Sequence, residues 1–476
     1  MPILLRDYQT DIIARARQAM HRSRRVLLQA PTGAGKTALA SFMAGETAAR
    51  NQGCWFICHR AELVQQTSLT FRKFGIAHGF IAAGHPVTIR ALVQICSIDT
   101  LKNRLAQSVP PKVAIVDEAH HSSAAGWALV IRWLTENGSY VIGLSATPQR
   151  LDGQGLDEHF DEIVLGPQVR WLIEHGYLSP YRIFAPDVPD MKGVRRQMGD
   201  FGKKDAADKM DKPKLTGNII THWRRHAEGL RTVAFGVTVA HSQHLAEQFT
   251  MAGIPAAHLD GGTPKGERKR IIQDYAAGML KVLTNVDLFG EGFDLSAIAQ
   301  TDVTIDAVIQ ARPTQSLSLH LQQVGRALRP APGKVAIILD HAGNLARHGY
   351  PDVDLNEEER VWTLEGREKG KSANDNAPPP PVICDGCFNA VKRPLPDDGK
   401  CPHCKKLLKR EEKPLEVAEG ELKEVDDEMR AALRQQRNRE QAEARTLDEL
   451  VALGHRRGYS SPVAWARKVF AGRRRA

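Results

Sequence analysis

Short apolar runs alternate with stretches of helical spacing along roughly the first 345 residues, and Gly, Pro and small polar residues punctuate the joins. Val26-Leu27-Leu28, Trp55-Phe56-Ile57-Cys58, a run within 86–97, Val113-Ala114-Ile115-Val116 and Tyr140-Val141-Ile142-Gly143-Leu144 have the length and composition of buried strands. Helical spacing opens at Leu5, at Thr37, from Ala61 to about Phe74, and again at Ser97. Parallel strands linked by helices bury both sheet faces, so the pattern predicts an α/β domain with a parallel sheet. After a connecting stretch that contains Trp171-Leu172-Ile173-Glu174-His175-Gly176-Tyr177-Leu178, the rhythm restarts. Strands are expected at Thr232–Val237, His258-Leu259, Lys281–Val286 and Val335–Leu339, with helices from His241 to Met251 and from about Lys265. The chain therefore divides into α/β domains at 1–168 and 231–350, joined by a connecting segment at 169–230.

Beyond 350 the pattern changes. Glu357-Glu358-Glu359, a charged run from Glu365 to Lys371 and Pro378-Pro379-Pro380-Pro381 mark 351–382 as a charged, stiff linker. Two CxxC pairs follow, Cys384/Cys387 and Cys401/Cys404, with thirteen residues between them. Each pair can set two thiolates on one tight turn, and two such turns close a tetrahedral shell. The region 383–410 is thus expected to be a small zinc ribbon, and four sulfurs leave its Zn2+ structural. From 411 to 476, mixed charge with Met429, Leu433, Leu447, Leu450 and Leu453 predicts a helical basic tail that ends in Arg473-Arg474-Arg475. Zinc module and tail are candidate surfaces for nucleic acid or for a protein partner.

A length of 476 residues allows about three domains. With 42% hydrophobic and 25% charged residues the chain has globular composition, which excludes a mostly disordered protein. A formal charge of +10 favours a polyanionic partner. No apolar run approaches the ~18 residues that cross a bilayer, and Met1-Pro2-Ile3-Leu4-Leu5-Arg6 lacks the length and flanks of a signal peptide. The expectation is a cytoplasmic protein with no membrane partner, in which Cys54, Cys58 and Cys96 are buried thiols.

The candidate chemistry gathers around Ala30-Pro31-Thr32-Gly33-Ala34-Gly35-Lys36-Thr37. A strand, a glycine turn and a helix start form a phosphate cradle: backbone N–H groups and the helix dipole face the triphosphate, and Lys36 adds a point charge. Thr32, Gly33, Ala34 and Gly35 line it, and the Thr37 hydroxyl suits Mg2+. Ala30 stands where the G-x-x-x-x-G-K-[ST] pattern has its first Gly, a position that needs only a small residue. The apolar strand ending at Val116 runs into Asp117-Glu118-Ala119-His120, which places Asp117 to complete the Mg2+ shell and Glu118 to polarise the attacking water. Upstream, the Gln9 amide suits an adenine edge, with Arg6 beside it. Ser145-Ala146-Thr147-Pro148 puts small hydroxyl residues at a strand end, where they can transmit movement or form a turn. No phosphate loop recurs in the second domain; Gln322-Gln323-Val324-Gly325-Arg326-Ala327-Leu328-Arg329 instead carries two arginines at i, i+3. A continuous helix would put both guanidinium groups on one face, suited to clamping a γ-phosphate held by the first domain.

As an ordered set these motifs resemble those of superfamily-two helicases of the DEAH-box type, especially phage and bacterial members similar to nucleotide-excision-repair and restriction translocases. Leu5–Gln9 looks like their adenine-recognition motif, 30–37 like motif I, Cys58–Leu63 like motif Ia and Ser97–Leu101 like motif Ib. Asp117–His120 looks like motif II, Ser145–Pro148 like motif III, Thr284–Asp294 like motif V and Gln322–Arg329 like motif VI. The resemblance implies two tandem RecA-like domains with ATP between them. Lys36, Thr37, Asp117 and Glu118 would bind and hydrolyse Mg-ATP, Arg326 and Arg329 would complete the site across the cleft, and Gly292 and Asp294 would lie near the ribose. It further implies that Arg60, Thr100, Gly261 and Thr284 touch the nucleic-acid backbone, while His120, Ser145, Thr147 and Gln322 couple that groove to the nucleotide. Glu291 stands where many DEAD-box members carry Arg, which disfavours that RNA-directed subtype. The expected activity is an ATP-dependent helicase acting on DNA. A double-strand translocase, a branch-migrating remodeller and an RNA helicase share the same core motifs, and a binding protein in which ATP only sets conformation is the alternative from another class.

Overall fold

The computed structural model describes residues 4–86, 88, 90–150, 154–185, 196–197, 200–201, 219–286, 295–353, 359–366, 382–383, 390–391, 400, 405, 423–424, 435, 438–457 and 462–473. Seven strands make the first sheet: β1 (Arg25–Gln29), β2 (Cys54–Cys58), β3 (His78–Ile81), β4 (Val93–Ser97), β5 (Val113–Val116), β6 (Tyr140–Ser145) and β7 (Glu162–Leu165). Their order is β3-β4-β2-β5-β6-β1-β7, and every pairing is parallel. The central strands are buried along all but at most one terminal residue, which is why they read as unbroken apolar runs. The edge strands β3 and β7 escape that reading because each is only partly buried. Cys54, Cys58 and Cys96 are free, buried thiols, and burial pushes Cys54 up to about 12.

The second sheet also has seven strands: β8 (Tyr181–Ala185), β9 (Thr232–Phe235), β10 (Ala256–Leu259), β11 (Val282–Asn285), β12 (Ala307–Gln310), β13 (Ala336–Asp340) and β14 (Lys423–Glu424). The order is β10-β11-β9-β12-β13-β8-β14, parallel except where β14 pairs antiparallel with β8. The stretch 169–230, expected to be a connection, therefore gives this sheet a strand, and its helix Ile219–Ala227 buries Ile219 and Trp223 in the same lobe. The helix after β9 starts at Val239, two residues ahead of the expected His241, because the Thr238 hydroxyl caps it by accepting from His241 N–H.

Among the described residues, two stretches of chain can be followed that run between the lobes. One follows β7, forms the helix Val169–Glu174 and enters β8 through Leu178 and Ser179. The other returns from the second lobe. Arg360 is buried and donates from Nη2 to the carbonyls of His348 at 2.9 Å and of Tyr350 and Val353 at 2.6 Å. Leu364 then enters the apolar cluster of Leu156 and Phe160 in the first lobe, and its carbonyl accepts from Leu156 N–H at 2.6 Å. A Cβ at Gly155 would lie 2.0 Å from that carbonyl, so only glycine permits the approach. Further along, the helix Leu447–Arg456, opened by a capping box of Thr446 and Glu449, packs against Pro462–Arg473 around Leu450, Leu453 and Ala466. No helix among the described residues is long and apolar enough to cross a membrane.

Candidate functional site

Open parallel sheets bind ligands beyond the carboxyl ends of their strands, and the expected residues of the first lobe stand at those ends. Past β1, Gly33 (φ +89) and Gly35 (φ +84) take left-handed conformations, and Gly35 caps the helix Lys36–Ala49. A Cβ at Gly35 would lie 2.4 Å from Gln9 Nε2 and one at Gly33 2.8 Å from Leu178 Cδ2, so the ends of these two side chains pack directly on the glycines, whose positive φ sets the need for them. The Ala34 carbonyl accepts from Tyr8 OH at 2.8 Å and from Gln9 Nε2 at 3.0 Å, and Gln9 Oε1 accepts from Arg6 N–H at 3.0 Å. Gln9 thus braces the loop from inside the protein, and only its second amide N–H and the other lone pair of its oxygen remain for a base. Burial raises the Tyr8 phenol above its ordinary value. The Arg6 guanidinium lies over the Tyr177 ring, 5.0 Å from its centroid.

The acid pair lies past β5. Asp117 continues the ladder by donating to the Ile57 carbonyl at 2.9 Å. Glu118 has φ 47, a left-handed conformation that costs a non-glycine residue about 1 kcal/mol or more. Its carboxylate is 5% exposed for the residue, with Oε1 3.6 Å from Lys36 Nζ and Oε2 3.4 Å from His120 Nδ1. His120 Nδ1 also lies 3.4 Å from Ser145 Oγ, which donates to the Thr147 carbonyl at 2.8 Å and accepts from Thr147 N–H at 3.2 Å. The Thr147 hydroxyl is hydrogen-bonded to the Ser318 hydroxyl of the second lobe. A continuous polar path therefore runs from the phosphate loop to the helix Leu317–Gly325.

That helix brings the second lobe onto the loop. A Cβ at Gly325 would lie 2.6 Å from Thr32 Cβ, so the helix end packs directly against the phosphate loop. The expected continuous helix through both arginines is not formed. It stops at Gly325, Arg326 is its C-cap, and the next N–H groups bond three residues back: Ala327 to Val324 at 3.0 Å and Leu328 to Gly325 at 3.3 Å. Pro330 ends the motif by biasing Arg329 away from helical backbone. Arg326 is buried, Arg329 is partly exposed, and their placement comes from this tightened turn. Gln322 is buried, and its Nε2 has no hydrogen-bond partner among the described residues.

The residues expected at nucleic acid divide. Arg60 N-caps the helix Ala61–Lys73 at the end of β2, with Nε 3.1 Å from His59 Nε2. Thr100 Oγ1 accepts from Ala83 N–H at 3.1 Å near the end of β4. Gly261 is exposed on a turn that buried Arg268 holds by donating from Nη2 to the carbonyls of Asp260 at 3.1 Å and Gly261 at 3.2 Å. Thr284 is different. It is fully buried in β11 and its hydroxyl donates to the Ser242 carbonyl at 2.6 Å, so it supports the strand and does not present itself to a ligand. Gly292, Asp294, Cys384, Cys387, Cys401 and Cys404 lie outside the described residues. Motif reading missed Tyr8 and Ser318, since a tyrosine in a first helical turn or a serine in a polar helix carries no distinguishing pattern.

Residues 2–150 match the family model described as type III restriction enzyme, res subunit, and residues 211–331 match the helicase conserved C-terminal domain. A 51.5 kDa protein of a Lactococcus phage is 33% identical over 327 residues, which cover 69% of this chain and 68% of that protein. A Saccharomyces cerevisiae protein named as an ATP-dependent helicase, IRC3, is 29% identical over 347 residues; the match covers 68% of this chain but only 49% of that relative. In fold, the chain is similar to an ATP-dependent type ISP restriction-modification enzyme bound to DNA, with a TM-score of 0.51 at 20% identity over 71% of this chain and 28% of that one. Both halves of a helicase core are matched in sequence, each is built on a largely parallel sheet, and the helix Leu317–Gly325 of the second packs on the phosphate loop of the first: the chain belongs to the superfamily-two helicases.

Proposed function

We propose that this protein couples Mg-ATP hydrolysis to translocation along DNA and to strand separation. The family is one of ATP hydrolases that use Mg2+, and the residues present fit that ligand. Two left-handed glycines, a helix N-terminus and Lys36 form a cradle for phosphate, and the Thr37 hydroxyl and Asp117 carboxylate are the hard oxygen donors that Mg2+ takes. Held by Thr37 and Asp117, Mg2+ would supply positive charge that offsets the negative charge of the triphosphate. Lys36 binds the phosphates, Glu118 orients and polarises the attacking water, and Arg326 and Arg329 stabilise charge that develops on the transferred phosphoryl group. Gln322 Nε2 offers a further donor. Arg60, Thr100 and Gly261 face the backbone of the nucleic acid, which makes binding weakly sequence-dependent and strongly salt-dependent.

The observation that carries this reading is the path Lys36, Glu118, His120, Ser145, Thr147, Ser318, because it ties the hydrolytic carboxylate to a helix of the other lobe. DNA is favoured over RNA by the restriction-enzyme family model and by the DNA-bound fold relative. ATPase rate with single-stranded DNA, duplex DNA, forked DNA and RNA as activators tests it: DNA is expected to stimulate turnover, and stimulation by RNA alone would overturn the substrate class. A strand-displacement assay beside triplex displacement separates unwinding from duplex translocation. The spacing of the two CxxC pairs supports a structural Zn2+, expected as stoichiometric zinc in the purified protein by elemental analysis.

A further inference from the structure

One dipeptide of the connection between the lobes touches both halves of the site. Leu178 is 1% exposed, its N–H donates to the Leu172 carbonyl at 3.0 Å, and its Cδ2 fills the space beside Gly33 in the phosphate loop. Ser179, next in the chain, is 3% exposed and turns the other way. Its N–H donates to the Leu328 carbonyl at 2.8 Å and its hydroxyl to the Arg329 carbonyl at 3.2 Å. Lys334 Nζ donates to that same Arg329 carbonyl at 2.7 Å. These carbonyls lie past the helix end, where intrahelical donors have run out and the backbone takes its position from whatever else bonds it. Leu178, Ala327 and Leu328 also share one buried apolar cluster with Tyr8, Ala34 and Leu172.

We propose that Leu178-Ser179 is a bracket that fixes the spacing between the phosphate loop and the arginine turn, with Ser179 and Lys334 as positioning residues for Arg329. The inference rests on the reading of Arg329 as a phosphate clamp. Adjacent Cα atoms are held about 3.8 Å apart by the peptide bond, so a shift of the phosphate loop is passed to the arginine turn through the Leu178 side chain and a single peptide link to Ser179. The two members act on different steps. Leu178 supports the loop that binds ATP; Ser179 supports the backbone from which Arg329 reaches the phosphoryl group.

The full chain with saturating DNA tests this by steady-state ATPase, paired with the dissociation constant of a fluorescent ATP analogue. Ser179→Ala is expected to lower kcat about three- to tenfold, the worth of one buried hydrogen bond, with the analogue's dissociation constant unchanged. Ser179→Thr keeps the hydroxyl and restores kcat, and Lys334→Met repeats the kcat loss. Leu178→Ala shows the opposite split, raising KM and the dissociation constant roughly tenfold by opening space beside the loop. Wild-type kcat in Ser179→Ala, or equal losses of kcat and affinity in both variants, overturns the bracket. Arg329→Ala separates the two failures: if it keeps wild-type kcat the clamp reading is wrong, and if it is inactive while Ser179→Ala keeps wild-type kcat, only the bracket is wrong.

Discussion

The two lobes share a parallel-sheet scaffold but use their strand ends differently. In the first lobe the ends of β1, β5 and β6 lead to the phosphate loop, to Glu118 and to Ser145, whose polar groups gather at one site. In the second, the strand ends turn inward: Thr284 bonds Ser242, Gln310 Nε2 donates to Gln323 Oε1 at 2.9 Å, and buried Asp340 accepts from Leu345 N–H at 2.7 Å. The Gln310–Gln323 bond anchors the helix Leu317–Gly325, and the other two hold the helices Val239–Met251 and Asn344–His348. The same fold thus serves in one lobe as a reaction site and in the other as a mount for a helix end, so function follows what succeeds each strand and not the sheet itself.

The sharpest break of this asymmetry is at Glu118. Glu118→Gln is expected to lower kcat by about 10²–10⁴ with ATP binding retained, as read by turnover and by analogue binding. Retained biological function in that variant would favour a binding protein in which ATP only sets conformation. Next, Gly325→Val drives a side chain into Thr32, where even a Cβ would lie 2.6 Å away. The clash is expected to cost about 1–3 kcal/mol of lobe docking and to lower DNA-stimulated turnover at least tenfold while each lobe keeps its fold by circular dichroism.

Acid sharpens the comparison from the stability side. Burial holds His320 down to about 3 and His241 down to about 4, and both belong to the second lobe. Each stays neutral in the folded state as pH falls below 6.5, whereas the unfolded chain takes up the protons. Stability is therefore fully present above about pH 6.5 and is lost towards pH 4, by up to ~1.4 kcal/mol per pH unit for each group. Chemical melts at pH 7 and pH 5 are expected to show the second lobe weakening first. The smallest effect belongs to the contact between lobes: Ser318→Ala removes the Thr147 hydrogen bond, worth about 0.5–1.5 kcal/mol, and should lower the ratio of DNA-stimulated to basal ATPase about two- to tenfold.

The first lobe was more legible in sequence than the second for the same reason. Its chemistry sits where a buried apolar strand stops abruptly at glycines or acids, a contrast that composition displays. In the second lobe the informative hydroxyls and amides are themselves buried, and Thr284 in a strand reads alike whether it faces solvent or core. Strands β8 and β12 lie among long irregular connections with no distinguishing pattern, and β3 and β7 are edge strands that need bury only part of their surface. The end of the arginine helix was signalled by Gly325 and Pro330, but the i, i+3 spacing of the arginines suggested a longer helix than those residues permit.

Catalysis shared between the lobes is most directly tested by Arg326→Ala in the full chain, with kcat and the ATP dissociation constant measured at saturating DNA. Sharing predicts that kcat falls by about 10³ or more, the usual worth of such an arginine, while ATP affinity stays within about threefold of wild type, since the phosphate loop is intact. Wild-type turnover in that variant would contradict it.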